Sequence, residues 1–259
     1  MTRRVDLPAG SGPAGRLKYG RVVRFAAVSE RVRDILVDGG VPRARVDVIR
    51  DGVDSARLAG ATPAARSGFR AEFGLEDDET AVGITAQFAP EKDHATLLRA
   101  WARVEAEAPG ARLFLVGRGD GEAELRRLSA ALGLSRVVFT GWRDDIPRVL
   151  AGLDVFVMTS TREGLGSSVM DAMACGLPVV ATRAGGLPEL VTDGEDGLLV
   201  PPGDPGALAP ALLRIAREPG LARRLGTSAR LRAESVFSAE RMTAEYVAFY
   251  RRALGEEPT

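Results

Sequence analysis

The feature that most constrains the fold is a regular alternation of short apolar segments with amphipathic helical segments. Eight runs rich in β-branched and apolar residues predict strands, at 22–29, 45–49, 80–85, 111–117, 136–141, 153–158, 177–182 and 197–200. The segments between them carry apolar residues at helical spacing, most clearly 94–108. Continuous apolar strands separated by helices are typical of parallel sheets covered on both faces. The sequence therefore predicts an α/β fold with a Rossmann-like parallel sheet.

The pattern divides the chain into unequal parts. Residues 80–238 hold six predicted strands, enough for a complete domain, whereas 1–55 hold a single strand-helix-strand unit after a Gly/Pro-rich start at 7–15. Small residues with little periodicity predict a linker at 56–68. The whole segment 56–79 is expected to hold this linker, or hinge, and the first helix of the next domain. A final helix at 239–254 carries an apolar stripe, which requires a partner surface. The stripe consists of Met242, Tyr246, Phe249 and Tyr250.

Composition excludes several classes of function. Thirty-five basic residues balance 35 acidic ones, which argues against a general binder of nucleic acid or anionic membranes. One cysteine, Cys175, and one histidine, His94, allow neither an internal disulfide nor a His/Cys zinc site. The apolar runs are too short for a transmembrane helix, and the N-terminus does not resemble a signal peptide. We therefore expect a protein of the cytoplasm or of a membrane periphery.

A glycine-containing turn follows the apolar strand at 153–158 and opens a helix. Backbone N–H groups at such a helix start, together with the positive end of the helix, favour a bound anion, and glycine lets a phosphate approach the backbone. A plain N-cap formed by the Ser/Gly residues before the helix is the alternative interpretation. Two carboxylates flank the turn, Glu163 before it and Asp171 in the helix. They could accept hydrogen bonds from the hydroxyls of a sugar and a ribose. Alternatively, Glu163 is an acid that stabilises the helix N-terminus and Asp171 is a solvated acid on the helix.

The segment EGLGSSVMDAMACGLPVVATRAGGLPELV, 163–191, closely resembles the donor-site signature of retaining glycosyltransferases of the GT-B fold, the family usually numbered four. Further matching segments occur in the same order, among them VDVIRDGVD (46–54), FAPEKDHATLLRAW (88–101) and LFLVGRGDGEAEL (113–125). The resemblance extends from about Ala27 to Arg251. It implies that 80–238 is the C-terminal domain, which binds a nucleotide-sugar donor, and that 1–55 is the end of a largely missing N-terminal acceptor domain.

The resemblance also implies roles for individual residues. Glu163 matches the acid that contacts the donor sugar, and Asp171 stands where most members have a Glu that binds the ribose. The backbone that faces the pyrophosphate would be that of Gly164, Leu165, Gly166, Ser167 and Ser168. Lys92 matches a lysine that neutralises the diphosphate. Gln87 occupies the position of a partner arginine, so it supplies no charge to the leaving group unless another cation such as Arg118 replaces it.

Other matched positions have weaker implications. Trp142 and Arg143 lie in a loop that passes the nucleotide base in relatives, although Trp142 could simply pack. His94 is expected to be a helix-entry residue and Cys175 a small core residue. Gly185 and Gly186 begin a turn that could bring the backbone close to the donor, although a turn role alone would explain them.

The implied activity is that of a hexosyltransferase that moves a hexose-type sugar from a nucleotide diphosphate sugar to an acceptor hydroxyl with retention. The implied enzyme uses no metal and no cofactor beyond its donor. Its acceptor, a glycan, lipid or small molecule, is unknown, and another chain could supply the missing N-terminal domain. The alternatives are a non-catalytic nucleotide-sugar binding module and a truncated, inactive remnant. A sugar-nucleotide epimerase of the same fold matches the motifs less well, and GRGDGE (117–122) lacks the third glycine of an NAD-binding turn.

Overall fold

A computed structural model describes residues 1–4 and 19–256. The strands are β1 (Thr2–Arg3), β2 (Phe25–Ala27), β3 (Val46–Val48), β4 (Thr80–Thr85), β5 (Ala111–Val116), β6 (Val137–Gly141), β7 (Val155–Met158), β8 (Val179–Thr182) and β9 (Leu198–Val200). The helices are α1 (Glu30–Asp38), α2 (Pro63–Glu72), α3 (His94–Glu107), α4 (Glu122–Ala131), α5 (Ile146–Gly152), α6 (Ser167–Ala174), α7 (Leu187–Leu190), α8 (Pro205–Arg217), α9 (Pro219–Val236) and α10 (Ala239–Leu254). The predicted start at 7–15 lies outside the described residues.

The larger sheet has six strands in the order β6-β5-β4-β7-β8-β9, and every pair in it is parallel. Its inner strands β4, β5, β7 and β8 are almost entirely buried, as expected for apolar strands covered by helices on both faces. The α/β class and the Rossmann-like parallel sheet predicted from the sequence are thereby confirmed. Strand β4 pairs with β5 on one side and β7 on the other, so the strand order reverses between β4 and β7. Ligand sites in open parallel sheets lie at the carboxyl ends of the strands at such a point.

A second, three-stranded parallel sheet of order β1-β2-β3 forms with α1 a small N-terminal unit. Helix α10 returns to this unit from the C-terminal end of the chain. Its Phe249 is 2% exposed and packs with Ala26 and Ile49, while Met242 and Tyr246 flank the contact. Tyr250 on the same helix is 56% exposed. The predicted apolar stripe therefore has its partner surface in the N-terminal unit, and part of it stays uncovered.

Two helices differ from the expectation drawn from periodicity. Residues 56–68 were expected to be a linker, but α2 begins inside that segment at Pro63, where the Thr62 side chain accepts a hydrogen bond from Ala65 N. The Thr-Pro pair is a helix-start signal that outweighs the weak periodicity. Helix α9 was not predicted, because its buried face consists largely of small residues. Gly226 packs so closely that a Cβ there would lie 2.2 Å from Gly176 O. No helix in the described part of the chain combines the length and hydrophobicity needed to cross a bilayer.

Candidate functional site

The loops that follow β4, β5 and β6 border a cleft of about 640 Å³ at the carboxyl edge of the large sheet. The first turns of α6 form another wall, and Arg57 reaches the cleft from the segment before α2. Predicted site residues that line the cleft are Gln87, Trp142, Arg143, Ser167, Ser168 and Asp171. The structure therefore brings together residues that are up to 84 positions apart in the sequence, at the edge where a parallel sheet binds ligands.

Lys92 and Glu163 form an ion pair across the point where the strand order reverses. Lys92 ends a 3-10 turn after β4, and its ammonium contacts Glu163 Oε2, which belongs to the loop after β7. Ser160 Oγ lies 3.2 Å from the same carboxylate oxygen, and Thr159 Oγ1 donates to Lys92 O at 2.8 Å. Both charged side chains are largely buried, 20% and 15% exposed. The two residues expected to handle the sugar and the phosphate are thus adjacent and held by neighbouring hydroxyls.

The residue after Lys92 has an unusual backbone. Asp93 has φ 46° and ψ 48°, the left-handed region, and no other described non-glycine residue has positive φ. Its carboxylate offsets this by accepting a hydrogen bond from Thr96 N at 3.1 Å, which caps α3. Lys92 itself is not among the side chains that line the cleft, and α3 starts in the residue after Asp93.

His94 is the first residue of α3 and is 2% exposed. Its ring packs edge-on against Phe88 with centroids 5.0 Å apart. Burial, followed by the positive charge of Lys92, lowers the pKa of His94 from 6.5 to about 4. The imidazole is therefore neutral at pH 7. The expectation that His94 is a helix-entry residue is confirmed by its position.

The glycine-containing turn has a tightly supported backbone. A Cβ on Gly164 would lie 2.2 Å from Arg4 O, and Gly166 has φ 109°. Leu165 is buried in the core, so only its backbone is available to a ligand. Helix α6 starts without a side-chain cap, and no described group accepts from the N–H of Ser167 or Ser168. Gly166 is the N-cap of α6, as a plain helix start would have it, and the N–H groups of Ser167 and Ser168 are also those that an anion site would use.

Gly185 and Gly186 support this turn from the side of β8. A Cβ on Gly185 would lie 1.9 Å from Glu163 O, and Gly186 N donates to that oxygen at 3.0 Å. The close approach expected at these glycines is therefore made to the backbone of Glu163.

Asp171 is buried rather than solvated, and it is paired with a residue that the sequence analysis did not consider. The Arg57 guanidinium contacts its carboxylate from the turn before α2. Burial raises the pKa of Asp171, and the charge and hydrogen bond of Arg57 oppose that rise. The Asp54 side chain accepts from Arg57 N at 3.3 Å, and Leu58 is buried in the core, so the turn that carries Arg57 is anchored on both sides.

The two arginines near Gln87, Arg143 and Arg118, differ in whether a carboxylate already pairs with them. Arg143 contacts both Asp145 and Glu72, and these carboxylates raise its pKa, so its charge is already neutralised. Arg118 makes no ion pair with any described residue and lies 5.6 Å from the centroid of the Trp142 ring. Trp142 is 61% exposed and borders the cleft. Of the two residues expected near the base, Trp142 has an available surface, whereas the guanidinium of Arg143 is held by its neighbours.

The remaining chemistry of the site is limited. Cys175 is the C-cap residue directly after α6 and is half-buried, and this burial raises the pKa of its thiol to about 11. It is therefore a neutral thiol near pH 7. Across residues 1–4 and 19–256, no three His, Cys, Asp or Glu side chains are grouped so as to hold a metal ion.

Comparison with known proteins adds to this geometry. A model of the family described as glycosyl transferases group 1 matches residues 79–218. The lipopolysaccharide core biosynthesis glycosyltransferase LpsE of Rhizobium meliloti (strain 1021) is 37% identical over 179 residues, 69% of this chain and 52% of that protein. D-inositol 3-phosphate glycosyltransferase of Mycobacterium tuberculosis (strain H37Ra) is 36% identical over 238 residues, 88% of this chain and 48% of that protein.

The solved structure of Anabaena Alr3699/HepE in complex with UDP-glucose is similar in fold. It has a TM-score of 0.85 and 28% identity, and the match covers 92% of this chain and 66% of that chain. The chain spans about half the length of the curated relatives it matches.

Proposed function

This chain belongs to the glycosyl transferases group 1 family, and on that premise we propose that its cleft binds a nucleotide diphosphate sugar as the donor of a sugar transfer. The observation that carries the proposal is the Lys92–Glu163 pair beside the uncapped start of α6. An ammonium and free N–H groups suit a diphosphate, and a carboxylate accepts hydrogen bonds from sugar hydroxyls.

The donor would lie along the cleft in one direction. We propose that its sugar contacts Glu163 and that its phosphates lie over the backbone of Gly164–Ser168. Asp171 would then meet the ribose, and Trp142 the base. The UDP complexes of Anabaena Alr3699/HepE, a similar fold, support this class of ligand.

Charge is the central requirement of the transfer. When the bond between the sugar C1 and the phosphate oxygen breaks, the leaving diphosphate gains negative charge, which fixed cations in a water-poor site stabilise. Lys92 and the positive end of α6 supply part of this charge. Gln87 supplies none, and we propose that Arg118, which borders the same cleft and makes no ion pair with a described residue, compensates for it.

Finer properties follow from the motif resemblance and belong to the same proposal. We propose that the sugar is a hexose, that its configuration is retained, and that these cations serve in place of a metal, with no cofactor besides the donor. The acceptor hydroxyl would come from a molecule bound by residues beyond this half-length match, in another part of the protein or in a partner chain.

A second candidate is a nucleotide-sugar binding module without catalysis. The uncharged side chain at Gln87 favours it, because binding tolerates a weaker leaving-group site better than catalysis does.

Calorimetric titration of the full chain with UDP, GDP and ADP, followed by the matching glucose or mannose conjugates, tests the proposal. We expect saturable binding of at least one nucleotide that is weakened about tenfold by Lys92→Met, since a charged contact to phosphate is lost. Arg103→Met, an exposed cation on α3, serves as the control. No binding by any nucleotide contradicts the proposal. Binding with release of sugar or nucleotide above background supports the enzyme, and binding without it supports the module.

A further inference from the structure

Two peptide planes of the turn at residues 163–166 are fixed by groups outside it. Gly186 N donates to Glu163 O at 3.0 Å, and Ser29 Oγ donates to Gly164 O at 2.7 Å. In a trans peptide the carbonyl and the following N–H point in opposite directions, so holding a carbonyl also sets that N–H. The two bonds therefore set the directions of the N–H groups of Gly164 and Leu165. No described group accepts from either of these N–H groups.

Ser29 is placed for this contact in a manner that helix capping alone does not require. It is fully buried in the N-terminal unit, 135 residues away in sequence from Gly164. Its oxygen accepts from Val32 N at 3.1 Å, which is an ordinary N-cap bond of α1. The Ser29 hydroxyl can therefore still donate its proton, and it donates it to Gly164 O.

A carboxylate completes a connection between the two units. Glu189 of α7 accepts from Glu30 N at 3.0 Å and Arg31 N at 3.1 Å, the first N–H groups of α1, and from Arg50 Nη2 at 2.9 Å. Helix α7 follows directly after Gly186. The start of α1 is therefore held against the segment that supports the turn on its other side.

We propose that Ser29 is a positioning residue that sets the turn at 163–166 for the donor diphosphate. The inference rests on the proposed function, because it assumes that this turn faces the phosphates. Ser29 touches no substrate. It acts through the Gly164 carbonyl, and its contribution should appear in diphosphate affinity and in the protection of the turn amides.

Ser29→Gly tests the role with little loss of capping, because glycine is itself among the residues that helices accept at the N-cap. We expect UDP affinity to fall about fivefold, the value of one hydrogen bond, with uridine affinity unchanged. Amide hydrogen exchange at Gly164, Leu165 and Gly166 should become faster. Ser29→Thr keeps the hydroxyl and should restore both measurements.

The matched control is Ser238→Gly, which removes the N-cap of α10, where Ser238 Oγ accepts from Arg241 N at 3.2 Å. This variant should leave UDP affinity and exchange at the turn unchanged. Equal exchange at 164–166 in Ser29→Gly and wild type overturns the role of Ser29, as does an equal loss of UDP and uridine affinity. A wild-type chain that binds no nucleotide contradicts the proposed function instead, and the exchange measurement still decides whether Ser29 holds the turn.

Discussion

The ammonium of Lys92 and the carboxylate of Glu163 neutralise each other beyond the carboxyl ends of the neighbouring strands β4 and β7, although the two residues are 71 positions apart in sequence. A ligand with both phosphates and sugar hydroxyls could take up both partners at once, since the phosphate would pair with the ammonium and the hydroxyls would donate to the carboxylate. The pair is therefore expected to exchange partners when a donor binds.

Glu163→Ala should separate the two halves of the donor. Removal of the carboxylate frees Lys92 for phosphate, so UDP affinity should be kept or improved, while the extra affinity of the sugar conjugate over UDP should fall about tenfold. Calorimetry with UDP and UDP-glucose measures both constants. The exposed Glu234→Ala on α9 is the control. An unchanged ratio of the two affinities would show that Glu163 does not meet the sugar.

Gln87→Arg should strengthen diphosphate binding by adding a cation at the border of the cleft. A partly exposed charge near phosphate contributes about 1 kcal/mol, roughly fivefold in affinity, at low salt and less at high salt. Titrations with UDP at two salt concentrations measure the effect, and Gln87→Met controls for the change in shape. Equal affinities of the Arg and Met variants at low salt would mean that position 87 does not face the phosphates.

The strands and the glycine-containing turn could be predicted because local composition determines them. The runs at 80–85 and 111–117 are apolar enough to be buried on both faces, and Glu163–Ser168 has the residue types of an anion-binding helix start. Helix α9 could not be predicted in this way, because its buried face depends on close packing of Gly226 rather than on large apolar side chains.

Contacts between distant segments were not accessible from the sequence. Nothing near Arg57 indicates that its guanidinium meets Asp171, and nothing near Ser29 indicates that its hydroxyl reaches Gly164. Both depend on how the N-terminal unit and the segment before α2 pack against α6. Asp54 is a residue type that favours a local turn, and its side chain does accept from Ala56 N. That turn signal does not indicate which side chain reaches the cleft.

Arg57→Ala should destabilise the protein in a pH-dependent manner. Burial raises the pKa of Asp171, so its ionised form is unfavourable in the folded state, and Arg57 reduces that cost. Without Arg57 the pKa rises further, and we expect a loss of about 1–2 kcal/mol at pH 7, because the pair is only partly buried. The loss should shrink as the pH falls and Asp171 takes up a proton. Urea unfolding at pH 7 and pH 4.5 measures it, and an equal loss at both would contradict the role of Arg57.

Asp93 should respond to substitution according to both its backbone and its cap. Asp93→Asn keeps a side chain that tolerates positive φ and can cap α3, so stability should change little. Asp93→Ala loses both and should cost about 1–2 kcal/mol. Asp93→Gly relieves the strain but loses the Thr96 contact, and should fall between them. Thermal or urea unfolding ranks the three, and an alanine variant as stable as the asparagine one would contradict this account.

His94→Gln isolates the effect of one buried imidazole, since the chain has a single histidine. The folded pKa of about 4 lies below the usual 6.5, so the unfolded chain takes up a proton first as the pH falls. The stability associated with neutral His94 is fully present above pH 6.5 and is lost as the pH falls toward 4. This difference in pKa corresponds to about 3 kcal/mol. The free energy of unfolding of the wild type should fall by that amount relative to His94→Gln between pH 7 and pH 4.

Lys92→Met removes the positive charge next to His94, so it should raise the folded pKa of His94 and reduce its difference from the unfolded pKa. Urea unfolding of the three proteins at several pH values measures the effect, and parallel curves for wild type and His94→Gln would show that His94 is not buried as a neutral group.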